Sequence, residues 1–247
     1  MNIALIFAGG TGCRMHSNGT PKQFILMHGK PIIIHTIEKF EYNKNIDAIV
    51  IVCIENWIPY LHNLLKKYNI TKVVQVVKGG SNGQESIYCG LVAAKSIAKS
   101  KDDIVLIHDG VRPMISDQVI DDNIISVKKY GSAITSIPVT ETVILVGEGK
   151  SIRSIPSRTK TRLARAPQSF YLDNIFASHT KAMSEGIHDF IDSCSMMQHY
   201  GYKLNWIDGP EENIKITTPK DLYIMRAFID MQEDFQLFEI NTEKGNK

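Results

Sequence analysis

The sequence predicts an α/β fold built on a mainly parallel, twisted sheet, and three observations carry that expectation. Short runs rich in Ile and Val recur at Asn2 to Ala8, Ala48 to Ile54, Val73 to Val77 and Ile104 to Ile107. Each run is apolar on both faces, as a strand covered by helices on either side must be, and helix-like stretches separate one run from the next. The chain has 247 residues, of which 43% are hydrophobic and 22% charged, so it can bury a sizeable core and is neither disordered nor a disulfide miniature.

The elements follow in order. The first run leads into a glycine-rich turn, and Pro31 to Asn43 reads as the first helix, with Pro in a first-turn position and Ile33, Ile37 and Phe40 on one face. Further helices are expected at Trp57 to Tyr68, Gln84 to Lys99 and Asp117 to Tyr130. From Ser132 to Ile155 the texture changes to short β-rich segments broken by Gly147-Glu148-Gly149, which predicts a hairpin projecting as an arm over about residues 132–158. Helices at about Asp173 to Ser184 and Asp189 to Tyr200 come next, then a strand at Lys203 to Ile207. A last helix starts with Thr218 as cap and Pro219 as first residue. No repeat or low-complexity linker divides the chain, so residues 1–231 read as a single domain and 232–247 as a flexible tail.

Composition narrows the function. Lys+Arg 28 against Asp+Glu 26 leaves a net charge of +2, which is no footprint for nucleic acid. The apolar runs are of strand length, far short of the ~20 residues a membrane span needs. Met1 to Ala8 lacks the basic leader and long apolar stretch of a signal peptide, so a cytoplasmic location is expected. Cys13, Cys53, Cys89 and Cys194 are scattered, without a CxxC pair, and read as reduced small hydrophobes.

Four constellations could carry chemistry. After the first run come Ala8-Gly9-Gly10-Thr11-Gly12-Cys13-Arg14-Met15 and then Pro21-Lys22-Gln23-Phe24. Glycines let backbone N–H groups approach an anion, and Arg14 and Lys22 add the cations a triphosphate requires; a tight turn with two solvated cations is the plainer alternative. Neither the GxxxxGK[ST] nor the GxGxxG spacing is present. The second constellation, His108-Asp109-Gly110-Val111-Arg112-Pro113, follows the fourth run. A carboxylate at that end of a parallel strand faces the crevice where open α/β sheets bind ligands, and its hard oxygens suit Mg²⁺ shared with substrate phosphates. Asp109 could instead simply form a turn or pair with Arg112, and His108 reads better as a hydrogen-bonded core residue than as a catalyst. In Gly79-Gly80-Ser81-Asn82-Gly83-Gln84-Glu85-Ser86, Ser81 and Gln84 have the spacing of a capping box, while Ser86 could offer a hydroxyl to a base or ribose. In Asn213-Ile214-Lys215-Ile216-Thr217-Thr218-Pro219, Lys215 alternates away from Ile214 and Ile216; it is either a phosphate clamp or an exposed lysine.

Taken in this order, the segments GGTGCRM, PKQF, GG…SIYCGL, HDGVRP, Pro138-Val139-Thr140-Glu141-Thr142, Arg158 before Ala166-Pro167-Gln168-Ser169-Phe170, Asp192 and NIKITTPKDL resemble the methylerythritol-phosphate cytidylyltransferase family, which also holds the ribitol-5-phosphate cytidylyltransferases of wall and capsule synthesis. The resemblance spans about residues 2 to 226. It implies a Rossmann-like nucleotidyltransferase fold, a homodimer that exchanges contacts through the β-arm, and transfer of CMP from CTP to a linear polyol phosphate with release of pyrophosphate. The acceptor stays open between 2-C-methyl-D-erythritol 4-phosphate and D-ribitol 5-phosphate. By the same resemblance, Arg14, Lys22 and Lys215 act on the triphosphate and transition state, and Asp109 helps hold Mg²⁺. Ala8, Gly9, Gly10, Thr11, Gly12, Gly80, Ser81 and Ser86 surround the nucleotide, while Arg112, Thr142 and Arg158 bind the acceptor, the last two in the partner subunit's site. The chain departs from the family's usual residues at Gly83, at Glu141 and at Arg165-Ala166. A sugar-1-phosphate nucleotidyltransferase shares the first loop but not NIKIT or the arm. A nucleotide-binding regulatory module without catalysis would have no need of Arg14, Lys22, Asp109 and Lys215 together.

Overall fold

The four Ile- and Val-rich runs form the parallel part of a seven-stranded sheet, in a computed structural model that describes residues 1–10 and 19–244, with the backbone alone for 233 and 235–244. In chain order the elements are β1 (Asn2–Ala8), β2 (Leu26–Met27), β3 (Lys30–Pro31), α1 (Ile32–Tyr42), β4 (Ala48–Cys53), α2 (Ile58–Lys67), β5 (Val73–Lys78), α3 (Gly83–Ile97), β6 (Ile104–Asp109), α4 (Asp117–Tyr130) and β7 (Ser132–Pro138). They continue with β8 (Leu145–Val146), β9 (Ile152–Ser154), β10 (Arg162–Tyr171), α5 (Leu172–Ser184), α6 (Ser193–His199), β11 (Trp206–Asp208) and α7 (Pro219–Lys244). The sheet order is β11-β7-β10-β6-β1-β4-β5. β1 pairs in parallel with β4 and β6, and β4 with β5, whereas β10 runs antiparallel between β6 and β7.

Side chains of a strand alternate between faces, and here both faces are covered. Ala4 and Ile6 of β1 pack with Ile37 and Phe40 of α1, Leu61 of α2 and Ile124 of α4. Ile3 and Leu5 pack on the other side with Leu91 and Ala94 of α3 and Ile175 of α5. A smaller cluster of Met27, Ile32, Val111, Met114, Ile216 and Met225 joins α7 to the turns that follow the strands. No helix among the described residues is long and apolar enough to cross a membrane.

Three boundaries differ from expectation. The segment Ser132–Pro138, expected as the base of the arm, is β7 of the central sheet, and Ile134 and Ile137 are buried there. The sequence is β-rich from Ser132 to Ile155, so composition alone did not separate a strand of the sheet from the hairpin beyond it. What projects is the shorter hairpin of β8 and β9, antiparallel to one another, with Ile144, Val146, Ile152 and Ile155 exposed. The segment from Gln232, expected as a flexible tail, continues α7 as helix to Lys244. The expected helix at Asp189 begins only at Ser193, capped by Asp192, whose Oδ1 accepts the Ser195 N–H at 2.8 Å.

Helix α3 crosses the sheet so closely that Gly90 is a fixed requirement. A Cβ at Gly90 would lie 2.3 Å from Leu5 Cδ1 and 2.7 Å from Val52 Cγ2. Gly90→Ala gains about 1 kcal/mol of helix propensity and loses about 1–3 kcal/mol to overpacking. A net fall in melting temperature of a few degrees is expected by circular dichroism; an equal or higher Tm would show that α3 can shift outward freely.

Candidate active site

Asp109 is the last residue of β6, where the strand turns sharply. The Gly110 N–H donates to the Phe7 carbonyl of β1 at 3.0 Å and the Arg112 N–H to the Asp109 carbonyl at 3.2 Å. The turn thereby aims the carboxylate inward, 5% exposed, and two cations meet it: Arg112 Nε lies 2.7 Å from Oδ2 and Lys215 Nζ 2.5 Å from Oδ1. Burial alone would raise the Asp109 pKa, but Lys215 and Arg112 outweigh it and hold the group at about 2. Asp109 is thus anionic at any ordinary pH. Beneath it His108 is fully buried, its Nε2 donating to the Arg112 carbonyl at 3.0 Å; burial pushes its pKa down to about 4, so the ring is neutral.

The segment 213–217 is not a strand, yet it is held as firmly as one. Arg112 Nη1 donates to the Asn213 carbonyl at 2.9 Å, the Ile216 N–H to the Val111 carbonyl at 3.1 Å, and Asn213 Nδ2 to the Ala166 carbonyl at 3.2 Å. Ile216 is buried in the α7 cluster while Lys215 turns the other way, its Nζ 5.6 Å from the centre of the Phe7 ring. Lys22 joins the first loop to this segment by donating to the Ile216 carbonyl at 3.0 Å. Gln23 fixes the start of that loop, its Nε2 donating to the Ala8 carbonyl at 2.6 Å and the Gly10 carbonyl at 3.2 Å. Thr11, Gly12 and Arg14 lie outside the described residues.

In the loop after β5 the cap differs from expectation. Asn82, not Ser81, caps α3, its Oδ1 accepting the Glu85 N–H at 2.9 Å, because the helix starts at Gly83 and leaves Ser81 one residue outside. Ser81 bonds Glu85 instead, through N–H and hydroxyl at 2.8 and 2.7 Å. Gly80 is required by this fit, since a Cβ there would lie 2.4 Å from Glu85 Cβ. Ser86 is buried; its hydroxyl donates to the Asn82 carbonyl at 2.7 Å and accepts the Gly80 N–H at 3.2 Å. The hydroxyl therefore shapes the loop.

Asp109, Arg112 and Lys215 stand together in the wall of a cavity of about 430 Å³. Ala8, Gly9, Gly10, Lys22, Gly80, Ser81 and Ser86 stand along the same edge of the sheet without lining that cavity, and Thr142 and Arg158, exposed on the arm, do not line it either. Arg158 donates to the Thr140 carbonyl at 3.3 Å within the arm itself. The opposite wall holds groups that the sequence reading assigned no role. Gln168 of β10 donates to Asp192 Oδ2 and accepts the Cys194 N–H, both at 2.8 Å, and Gln84 spans to the 186–192 loop through the Ile187 carbonyl at 2.7 Å and the Phe190 N–H at 3.1 Å. Gln168 stands in a segment that carries the resemblance and Gln84 at capping-box spacing, but their partners are distant in sequence and neither pattern shows these contacts. His179 of α5 is 1% exposed, stacked on Tyr88, and neither ring nitrogen has a hydrogen-bond partner. As to metal, no cluster of three or more His, Cys, Asp or Glu ligands exists among the described residues. A lone strand-end carboxylate fits an ion such as Mg²⁺ that takes most of its oxygens from substrate phosphates and water.

Comparison with known proteins places these features. A family model described as 2-C-methyl-D-erythritol 4-phosphate cytidylyltransferase matches residues 2–231. The chain is 50% identical over 238 residues to a ribitol-5-phosphate cytidylyltransferase of Streptococcus agalactiae serotype Ia, covering 96% of this chain and 99% of that one. It is 39% identical over 230 residues to a 2-C-methyl-D-erythritol 4-phosphate cytidylyltransferase of Clostridium novyi, covering 93% and 96%. Among solved structures, the 4-diphosphocytidyl-2C-methyl-D-erythritol synthase of Anaerococcus prevotii superposes with a TM-score of 0.80 at 23% identity, covering 93% of this chain and 96% of that one, which shows the shared fold.

The buried His179 gives the site a pH signature. Burial lowers its pKa to about 4, below the unfolded value of about 6.5, so as pH falls below 6.5 the unfolded chain takes up a proton first. Stability is intact above that value and declines down to about pH 4, by about 2 kcal/mol at pH 5. His179→Phe keeps the stack and removes the titration. The difference in Tm between pH 7 and pH 5 should shrink by several degrees in the variant; an unchanged difference would place the imidazole in contact with water.

Proposed function

The chain belongs to the 2-C-methyl-D-erythritol 4-phosphate cytidylyltransferase family, and from that premise we propose that it transfers CMP from CTP to D-ribitol 5-phosphate, releasing pyrophosphate and forming CDP-ribitol. The observation that carries a transfer between two phosphates is the ionised Asp109 held by Arg112 and Lys215 at one end of a cavity. The choice of acceptor is supported by 50% identity to a protein named for ribitol 5-phosphate against 39% to one named for methylerythritol phosphate.

In this reading an oxygen of the acceptor phosphate, already anionic, attacks the α-phosphorus of CTP in line. The new P–O bond forms as the bond to the β-phosphate oxygen breaks, and pyrophosphate leaves with the electron pair, so no covalent enzyme intermediate is needed. Arg14, Lys22 and Lys215 neutralise the triphosphate and the charge that builds at the α-phosphorus. The segment Ala8 to Gly12 would offer backbone N–H groups to the phosphates, and the loop of Gly80, Ser81 and Ser86 shapes the pocket for the cytosine and ribose. Asp109 would help hold Mg²⁺, which would supply charge neutralisation on the phosphate oxygens. Arg112 stands beside the acceptor. Thr142 and Arg158 serve the site of a second copy, because neither lines its own chain's cavity and the arm bears apolar residues such as Val146 (71% exposed) and Ile155 (61% exposed) that pairing with another arm would cover. Residues 1–231 act as one domain, in the cytoplasm where CTP is available.

The test is pyrophosphate release with CTP and Mg²⁺ over a panel of polyol phosphates. Turnover should favour D-ribitol 5-phosphate, vanish with EDTA and fail with ATP or GTP; equal use of the purine nucleotides would overturn the cytidylyl assignment. Lys22→Ala should lose about 10²-fold in turnover with Tm almost unchanged, and Arg14→Lys should not fully restore what Arg14→Ala loses.

The shared site has its own test. Arg158→Ala should raise KM for the acceptor and leave KM for CTP alone. Mixed with Lys22→Ala after subunit exchange, it should regain activity, since each mixed dimer assembles one undamaged site. A monomer by light scattering at assay concentration, or exchange without complementation, would refute the sharing.

A further inference from the structure

One cation in the cavity wall has no ion-pair partner among the described residues. The Lys and Arg side chains lining the cavity are Arg112, Lys215 and Arg165. The first two bind Asp109 at 2.7 and 2.5 Å. Arg165 makes no hydrogen bond or ion pair with any described residue. Its position is built rather than incidental. The ladder between β10 and β7 pairs Ala164 with Ser136 and Gln168 with Ile134, so the register breaks across the residues between, and Arg165 lies in that break. A bulge of this kind re-aims a side chain out of the pattern of its strand. The flanking Ala164 and Ala166 also line the cavity and are too short to fill it, which leaves the guanidinium room.

The electrostatics point the same way. Partial burial and then the charge of Arg112 lower the Arg165 pKa, and Glu211 opposes them without reaching an ion pair. Two guanidiniums that repel each other in a half-enclosed space are best reconciled by a dianion between them. A neutral hydroxyl would satisfy neither charge, and a planar fork is suited to a phosphate presenting several oxygens.

We propose that Arg165 is a specificity-determining residue that binds the phosphate of the acceptor, in concert with Arg112. The inference rests on the polyol-phosphate reading and deepens it. The bulged strand delivers the guanidinium to the wall shared with Arg112, so a phosphomonoester is selected over an uncharged polyol before transfer begins.

The full chain is assayed as wild type, Arg165→Met and Arg165→Lys. In Arg165→Met, KM for D-ribitol 5-phosphate should rise about 10–100-fold, the range for loss of a charge-assisted contact, while KM for CTP stays within about twofold. Arg165→Lys should recover part of the loss. Inorganic phosphate, as a competitor of the acceptor, should inhibit Arg165→Met far less than wild type. An active Arg165→Met with the wild-type acceptor KM, or a shift in KM for CTP alone, overturns the role while leaving the cytidylyltransferase reading intact. If wild type transfers CMP to none of the polyol phosphates, that reading fails, and calorimetry with inorganic phosphate still decides whether Arg165 binds phosphate: weaker binding by Arg165→Met upholds it, equal binding rejects it.

Discussion

The site depends on one buried carboxylate. Asp109 is 5% exposed, and a charge so placed is tolerable only with partners in bonding range. Arg112 comes from the same turn, but Lys215 comes from a segment more than one hundred residues later, where Arg112 also bonds the Asn213 carbonyl at a sequence separation of 101. Lys22 reaches the same segment from a separation of 194. The ion pair thus ties together turns that follow different strands, and removing one partner from such a pair costs about 3–5 kcal/mol, less where, as at Lys215, the partner is partly solvated. Two cations on one anion also leave an excess of positive charge facing the cavity, which is the polarity a phosphorylated substrate requires.

The arm answers to a different constraint. Strands of two and three residues, β8 and β9, have no core of their own, and a lone hairpin of that size is marginal in water. The sheet with its covering helices is complete without it. Stability and completeness of the site therefore raise the same question at the arm, since the segment that exposes the apolar side chains also holds Thr142 and Arg158, neither of which lines the cavity.

How much of this was legible in the sequence follows from how local each feature is. The parallel strands could be read because burial on both faces leaves continuous Ile and Val. The last helix could be read because Thr218 and Pro219 mark its start; the Asp221 N–H does donate to Thr218 Oγ1, at 3.4 Å. The base of the arm could not, since β-rich sequence runs on from β7 into the hairpin and only its neighbours β10 and β11 show it to be interior. The side of the cavity nearest Asp109 was visible as motifs at strand ends. The contacts of its far wall were not, although Gln168 and Asp192 stand in the segments that carry the resemblance: Gln168 meets Asp192 at a separation of 24, Gln84 meets Ile187 at 103, and His179 shows only as a polar residue on the buried face of α5. Such contacts exist only once the sheet has assembled.

His108 shows why the charge count around Asp109 is so narrow. Its Nε2 faces the Arg112 carbonyl, which can only accept, so that nitrogen carries the proton, and Nδ1 is left buried without a partner. An unsatisfied buried nitrogen costs about 1–3 kcal/mol. The ring nonetheless braces the turn from below without adding charge, since burial keeps its pKa at about 4. A protonated imidazole or a lysine in its place would put a third cation against Asp109 and compete with Lys215 for the carboxylate. A neutral brace leaves that carboxylate to the two cations that face the cavity, which Asp109 orients together with the Asn213 carbonyl that Arg112 also bonds.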